Sequence, residues 1–185
     1  MSCRSVLKTA ALALLLHLCV NTARAEDNLD LEYQVKAAFL YNFAKFVEWP
    51  QSKFAQTQSP LTIGILGDDP FGSNIDRVIQ GQSAHNRPIV IKRLQTGDNA
   101  TECAIVFVSL SARKAFAGIS DKLKSANVLT VGESKDFLDQ GGIIRFTIED
   151  RKVRFEINMD AAEAAQLKIS SQLLKLARNV RAKTK

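Results

Sequence analysis

Apolar residues dominate one long segment near the start of the chain, residues 32–49. The segment contains no glycine and is followed by Pro50, so it predicts a helix over residues 32–49. At about 100° per residue, most of its polar side chains fall in one stripe about 120° wide, formed by Gln34, Asn42, Lys45 and Glu48. A helix that is apolar on its other sides is typical of a protein core. The alternative is that one aromatic flank docks against a partner protein.

Short apolar runs follow and alternate with helix-forming segments. Strands are predicted at residues 61–66, 89–94, 105–110 and 128–131. The helix after the first strand has Asp69 as its predicted N-cap and Pro70 at its first position. Further helices are predicted from Ala112 and from Ser134, and residues 81–88 are predicted to be a loop. This alternation favours an α/β domain with a largely parallel sheet flanked by helices.

The end of the chain carries a different pattern. Residues 143–148 and 153–157 are predicted strands, and the short polar turn between them requires an antiparallel hairpin. Asp160 then caps a predicted long C-terminal helix over residues 161–181. The predicted core stripe of this helix consists of Ala162, Ala165, Ile169, Leu173, Leu176 and Val180.

Residues 1–25 have the three parts of a secretory signal peptide. The start is basic, an apolar run covers residues 9–20, and the small residues Ala23 and Ala25 mark a cleavage site. The run is shorter than the ~20 residues that span a bilayer, so a retained membrane anchor is the less favoured alternative. Cleavage leaves residues 26–185 as a single domain, large enough to bury a core.

Net charge and cysteine content bear on which partners and which redox chemistry the protein can have. The removed segment carries three basic residues, so the formal net charge falls from +6 to +3, a mild excess that does not favour nucleic acid as a partner. Cys103 is the only cysteine left after cleavage, so no internal disulfide can form. Because it begins an apolar run, a buried and inert thiol is the favoured interpretation. An intermolecular disulfide or a redox-sensitive thiol is the alternative.

Candidate chemistry is sparse. The turn after the first strand contains Asp68 and Asp69, at the place where open α/β sheets often bind a ligand. A cap and turn is the favoured interpretation, and a small-ligand pocket completed by Ser109 and Ser111 is the alternative. The sequence has no dinucleotide or phosphate-loop spacing, no nucleophile elbow and no metal-ligand cluster, and His85 is the only histidine after cleavage. The sequence therefore supports neither an enzyme nor a cofactor.

Five segments, in this order, resemble the sequence of YfiR-like proteins. They are EYQVKAAFLYNFAKFVEWP at residues 32–50, IGILGDDPFG at 63–72, CAIVFVS at 103–109, GGII at 141–144 and VRFEIN at 153–158. Together they extend over nearly all of the chain that follows the signal peptide. The first segment is fairly specific, and the order of all five is more so.

The resemblance to the YfiR family implies a periplasmic repressor that binds the periplasmic part of an inner-membrane diguanylate cyclase of the YfiN kind. It also implies a second partner, an outer-membrane lipoprotein of the YfiB kind, which sequesters the repressor. Repression would lower cyclic di-GMP and biofilm formation. The best-known members carry disulfides in the mature domain, whereas this chain keeps only Cys103. A homodimer is a further expectation.

Two partner-binding surfaces are expected on the predicted elements. The first lies on the last helix and the strand before it, at Glu163, Leu167, Leu174, Phe155 and Arg154. The second is the aromatic flank of the first helix, at Phe39, Tyr41 and Phe43. The alternative for the two leucines is a broad core contact. A different function, a small-molecule sensor or carrier, would instead use the carboxyl end of the sheet around Asp68, Asp69, Ser109 and Ser111.

Overall fold

The computed structural model describes residues 28–182. The signal peptide expected at residues 1–25 lies outside the described residues, and so does its cleavage site. Five α-helices are described: α1 at residues 28–46, α2 at Ser73–Ile79, α3 at Arg113–Ser125, α4 at Met159–Ala164 and α5 at Ser171–Leu176. Short 3₁₀ helices lie at Gln51–Lys53 and Leu110–Ala112.

An eight-stranded sheet runs through the described part of the chain. Its strands are β2 (Leu61–Leu66), β3 (Ser83–Ala84), β4 (Arg87–Leu94), β5 (Ile105–Val108), β6 (Leu129–Gly132), β7 (Ile144–Glu149), β8 (Lys152–Asn158) and β10 (Asn179–Arg181). Their spatial order is β10-β8-β7-β6-β5-β2-β4-β3. Two short strands, β1 (Val47–Glu48) and β9 (Lys168–Ile169), pair with each other outside this sheet.

The centre of the sheet is parallel. β2 lies between β4 and β5, and β6 lies between β5 and β7, all in parallel pairs. β7 and β8 form the antiparallel hairpin, in register from Ile144 opposite Ile157 to Glu149 opposite Lys152. The predicted single α/β domain with a largely parallel sheet and an antiparallel hairpin is therefore confirmed.

Helices cover both faces of the sheet, because alternate side chains of a strand point to opposite faces. Ile105 and Phe107 of β5 belong to the first core, which α1, α2, α4 and α5 cover. Val106 and Val108 belong to the second core, which α3 covers. A run that is apolar at every position is typical of a strand buried on both faces.

The predicted long C-terminal helix is wrong. Asn158, rather than Asp160, caps α4, because its Oδ1 accepts a hydrogen bond from the Ala161 N–H at 3.1 Å. The helix ends after one and a half turns because Gln166 adopts a left-handed conformation, with φ +56°. This turn carries Leu167, which is 3 % exposed, into the first core.

After this turn the chain changes direction instead of continuing along one helix. Lys168–Ile169 pairs with Val47–Glu48, and Ser170 begins α5 by accepting a hydrogen bond from Leu173. Two residues of the predicted core stripe are consequently on the surface, since Leu176 is 60 % and Val180 is 39 % exposed.

Other corrections concern the ends of elements. α1 ends at residue 46, because Val47–Glu48 forms a strand with β9. Asp69 and Pro70 do not begin α2, which starts at Ser73 with Gly72 as its N-cap. The Asp69 carboxylate instead accepts a hydrogen bond from the Phe71 N–H at 2.8 Å and so closes a turn.

Two local predictions were also wrong. Residues 134–141 form consecutive turns rather than a helix. The predicted loop at residues 81–88 contains β3 and the start of β4, joined by His85 and Asn86, which both have positive φ.

Candidate functional site

The first predicted partner surface is divided between the core and the exterior. Leu167 and Phe155 are buried, at 3 % and 1 % exposed, so neither is available to a partner in this structure. Leu174 is half-buried against the first core, whereas Glu163 and Arg154 are exposed. For Leu167 the structure agrees with the alternative, a core contact.

The aromatic flank of α1 also points largely inward. Phe43 is 0 % exposed, and its ring lies 5.7 Å from that of Phe146 and 5.2 Å from that of Phe155. The Tyr41 hydroxyl donates a hydrogen bond to Gln82 Oε1 at 2.9 Å. Phe39 is only half-buried. Of the predicted trio, Phe39 is the residue that lines a surface groove.

This groove, the α1–hairpin groove, is defined by Leu31, Val35, Phe39, Ile148 and Val153 and has a volume of about 540 Å³. The exposed fractions are 59 % for Leu31, 37 % for Val35 and 51 % for Ile148. On α1, residues four apart in the chain lie on the same side of the helix, which places Leu31, Val35 and Phe39 in a row. The groove is therefore an apolar strip that solvent reaches.

The part of the β7–β8 hairpin that extends beyond β6 forms the second wall of the groove. β7 pairs with β6 only through Ile144 and Arg145, so the rest of the β7–β8 hairpin extends past the end of β6 and stands beside α1. Its two-residue turn, Asp150 and Arg151, has φ values of +48° and +59°. Two consecutive left-handed residues twist in the same sense as the strands, which suits a tight hairpin. Arg151 and Lys152 place two positive charges at the rim of the groove.

The sequence reasoning missed the groove residues other than Phe39. Leu31 lies before the predicted start of the first helix, and extending the apolar pattern by one turn would have included it. The sequence around Ile148 does not indicate that this residue lies beside α1, because its position depends on how far the hairpin extends beyond β6.

A buried ionic cluster lies on the other side of α1. Lys36 is 2 % exposed, and its Nζ lies 2.5 Å from both Glu32 Oε1 and Glu133 Oε2. The Tyr33 hydroxyl donates to Glu133 Oε1 at 3.0 Å, and Lys36 Nζ lies 4.2 Å above the Tyr33 ring. Burial, and secondly the charge of Glu133, raises the pKa of Tyr33 well above its usual range. Through these ion pairs and hydrogen bonds the cluster holds α1 against the loop after β6.

The predicted ligand-pocket residues do come together, at the carboxyl ends of β2 and β5. The Asp68 N–H donates to Ser111 Oγ at 2.9 Å, and the Ser109 and Ser111 hydroxyls are 2.9 Å apart. Asp69 forms an ion pair with Arg93 at 2.8 Å.

The two loops are in close contact at Gly67. A Cβ at Gly67 would lie 2.5 Å from Ser109 Oγ and 2.6 Å from Ser111 Oγ. The four residues bond mainly within the loops or to Arg93, which agrees with the turn in the favoured interpretation, whereas Asp69 does not cap α2.

Cys103 lies in the second core with no exposed surface. Burial raises the pKa of its thiol, so the reactive thiolate is disfavoured. An oxidant could reach this thiol only if the core opened. The favoured interpretation of a buried thiol agrees with this position.

Residues 28–182 contain neither a cluster of metal-ligating side chains nor a helix that could span a membrane. No group of three or more His, Cys, Asp or Glu side chains is placed to hold a metal ion. No helix in that range has both the length and the apolar character needed to cross a bilayer.

Comparison with known proteins identifies a family. The sequence model of proteins described as YfiR/HmsC-like matches residues 33–178, which is most of the chain. Among curated proteins, none matches the chain significantly.

Two solved structures are similar over part of the chain. A conserved domain protein from Vibrio cholerae O1 biovar El Tor has a TM-score of 0.49 at 14 % identity, over 65 % of this chain and 55 % of that one. The ABC domain in complex with L-Trp from Streptococcus pneumoniae has a TM-score of 0.48 at 12 % identity, over the same two fractions. The match thus spans about half the length of each of those chains.

Proposed function

Because the chain belongs to the YfiR/HmsC-like family, we propose that it represses an inner-membrane diguanylate cyclase by binding the periplasmic part of that enzyme. The family consists of periplasmic regulators of cyclic di-GMP signalling. Binding that favours the inactive conformation of the cyclase would lower cyclic di-GMP and biofilm formation, because a ligand shifts an equilibrium by its difference in affinity for the two states.

The α1–hairpin groove is the surface that we assign to the cyclase. Its exposed Leu31, Val35 and Ile148 form the kind of apolar patch that partners bury, and each 100 Å² of apolar area buried contributes about 2.5 kcal/mol before the cost of association. The positive rim formed by Arg151 and Lys152 suits an apolar segment flanked by acidic residues.

A lipoprotein of the YfiB kind would relieve repression by competing for the same groove. Exposed residues from the sequence-based surfaces, Glu163 and Arg154, remain candidates for this second partner or for a homodimer contact. Since Phe155 and Leu167 are in the core, they would act on such contacts only through packing.

The test compares two valines of similar exposure. Val35 in the groove is 37 % exposed, and Val90 on β4, outside the groove, is 40 % exposed. Protein purified from the periplasm is added to the reconstituted cyclase of the same host, and synthesis of cyclic di-GMP is measured. Val35→Asp should weaken inhibition at least tenfold, or about 1.4 kcal/mol, because the complex would then bury a charge, whereas Val90→Asp should inhibit like the wild type.

Thermal unfolding of both variants checks that each is folded. Wild-type protein that neither binds the cyclase nor changes its activity would overturn the proposed function. If Val35→Asp and Val90→Asp inhibit the cyclase equally, the protein still acts as a repressor, but the α1–hairpin groove is not its binding surface.

A further inference from the structure

Four buried side-chain polar atoms have no hydrogen-bond partner within the described residues. They are Ser134 Oγ, Gln140 Oε1, Arg145 Nε and Thr147 Oγ1. Buried polar atoms in folded proteins are nearly always hydrogen-bonded, so such a group calls for an explanation. All four atoms belong to residues that line two adjoining clefts near the carboxyl ends of β5, β6 and β7.

The two clefts have different linings. The polar cleft, of about 580 Å³, contains Ser134 and Gln140 in its wall. The mixed cleft, of about 660 Å³, contains Arg145 and Thr147. Leu110, Glu133 and Lys135 line both, so the clefts are continuous. Neither cleft is lined by the aspartates and serines of the turn predicted to bind a ligand.

Unpaired positive charge surrounds the polar cleft. Arg113, Lys114 and Lys135 line it, and none of them forms an ion pair within residues 28–182. Of the two acidic lining residues, Glu133 forms an ion pair with Lys36, whereas Asp136 accepts a hydrogen bond from the neutral amide of Gln140 and keeps its charge. The three cations therefore outnumber the one uncompensated carboxylate. The net potential in the cleft is therefore positive.

The start of α3 adds to this potential. α3 is 13 residues long, no side chain caps it, and its first turn has no acidic residue. Helix N-termini carry partial positive charge and usually have an acidic or capping side chain. A 3₁₀ turn at Leu110–Ala112 leads directly into α3, and the Arg113 N–H bonds to the Leu110 carbonyl, so the contribution at this end of α3 comes mainly from the side chains of Arg113 and Lys114 beside the cleft.

A second, independent feature is the buried hydroxyl of Ser134. The residue is 7 % exposed, and its Oγ bonds to no protein group in the described chain. A hydroxyl can donate a hydrogen bond to an anion after rotation about one torsion. In the mixed cleft, Thr147 Oγ1 and Arg145 Nε are two more hydrogen-bond donors without a protein partner in the described chain. Gln140 Oε1, in the polar cleft, is the one atom of the four that can only accept.

Apolar side chains complete the mixed cleft. Leu110 and Leu29 are each 55 % exposed, and Ile148 is 51 % exposed, and all three line it. A ligand that fits both clefts therefore has an anionic group and an apolar body.

We propose that the polar and mixed clefts form one binding site for a small organic anion. The anionic group would lie beside Lys135, Arg113 and the start of α3, and would accept a hydrogen bond from Ser134. The apolar body would lie against Leu110. The mixed cleft shares Ile148 with the α1–hairpin groove, so the tests use Lys135, Arg113 and Ser134, which line the clefts but not the groove.

Isothermal titration calorimetry with phenyl phosphate tests the site on the protein purified from the periplasm. We expect saturable binding that is at least tenfold tighter than that of inorganic phosphate, which lacks the apolar body, with no binding of benzyl alcohol, which lacks the charge. Lys135→Gln and Arg113→Gln should each weaken phenyl phosphate binding at least fivefold. Lys175→Gln on α5, an exposed lysine that lines neither cleft, is the matched control and should bind like the wild type.

Ser134→Ala separates ligand binding from folding. Because Ser134 Oγ has no protein partner, its removal should leave the melting temperature unchanged or higher while weakening phenyl phosphate binding. The proposal is overturned if neither phenyl phosphate nor anilinonaphthalene sulfonate binds saturably, or if binding is equal in wild type, Lys135→Gln and Arg113→Gln. No cyclase is present in these experiments, so their failure would leave the repressor proposal standing.

Discussion

Lys53 shows how one side chain can support the fold at an electrostatic cost. Its Nζ donates hydrogen bonds to the carbonyl oxygens of Thr101 and Ala126, each at 2.8 Å. It thereby joins the segment after β1 to the loop before β5 and to the end of α3. Burial lowers the pKa of Lys53 from 10.5 to about 8. The protonated amine is thus less favourable in the folded protein than in the unfolded chain.

The free energy of unfolding should therefore rise with pH between the folded-state pKa of Lys53, about 8, and its unfolded-state pKa of 10.5. Between pH 8 and pH 10.5 the unfolded chain holds more protons at this site than the folded protein, so the free energy of unfolding increases with pH. Below pH 8 Lys53 is protonated in both states, so the folded protein bears the full cost of burying the charged amine. Urea unfolding at several pH values, compared with Lys53→Met, measures the effect.

Cys103 titrates in the opposite sense, because burial raises its pKa. The charge of Lys53 lowers the pKa of Cys103, so its loss in Lys53→Met raises that pKa further and acts on the comparison in the same direction. Wild type should gain stability relative to Lys53→Met as the pH rises from 8 to 10. Parallel curves for the two proteins would show that Lys53 does not titrate as described.

The C-terminal segment shows how tertiary contacts end a helix that the local sequence would continue. The residues before Gln166 are good helix formers, and α4 nevertheless stops. The Leu167 N–H bonds to the Ala162 carbonyl at 2.9 Å, which closes the turn around a left-handed Gln166. Asn127 Nδ2 also donates to the Ala165 carbonyl at 3.0 Å. Burial of Leu167 and the pairing of β9 offset the cost of this turn.

Gln166→Gly should stabilise the protein by about 1 kcal/mol, because glycine adopts φ > 0 without the steric cost that other residues incur. Gln166→Ala is the control, since alanine incurs the same cost as glutamine, and it should change stability by less than about 0.5 kcal/mol. Chemical denaturation measures both. Equal stability of the glycine and alanine variants would contradict the left-handed turn.

At the scale of the whole molecule, two cores share one sheet. Phe107 on β5 belongs to the first core, and Phe116 on α3 belongs to the second. Because the same strands supply both cores, neither can lose its packing without disturbing the other. The described part of the chain should therefore unfold as one cooperative unit.

Trp49, the only tryptophan, reports on this cooperativity. It lies against the first core, and its Nε1 donates to the Ala104 carbonyl at 3.0 Å. Phe116→Ala removes a ring from the opposite face and should destabilise the protein by about 3–5 kcal/mol. Its unfolding midpoint should shift equally in Trp49 fluorescence and in far-ultraviolet circular dichroism, as should that of Phe107→Ala. A Trp49 transition that does not move in Phe116→Ala would show two independent units.

The α/β class, the parallel sheet and the family could be predicted from local patterns in the sequence. Runs such as 105–108, apolar at every position, are long enough for a strand and too short for a helix, so the pattern alone predicts the element, although the strand forms by pairing with β2 and β6. Glu32 and Lys36 both lie off the polar stripe of the first helix and four residues apart, so their ion pair is a local feature, whereas the second partner of Lys36, Glu133, is far away in the chain. The buried thiol of Cys103 followed in the same way from the apolar run that it begins.

The path of the C-terminal segment and the candidate surfaces could not be predicted from local patterns. Helix periodicity over residues 161–181 is a local property, whereas the turn at Gln166 depends on β1, which lies far away in the chain. The α1–hairpin groove likewise needs Val35 and Ile148 side by side, and that follows from how few residues of β7 pair with β6. Contacts between distant segments leave no periodic trace in either segment, so only the folded chain shows them.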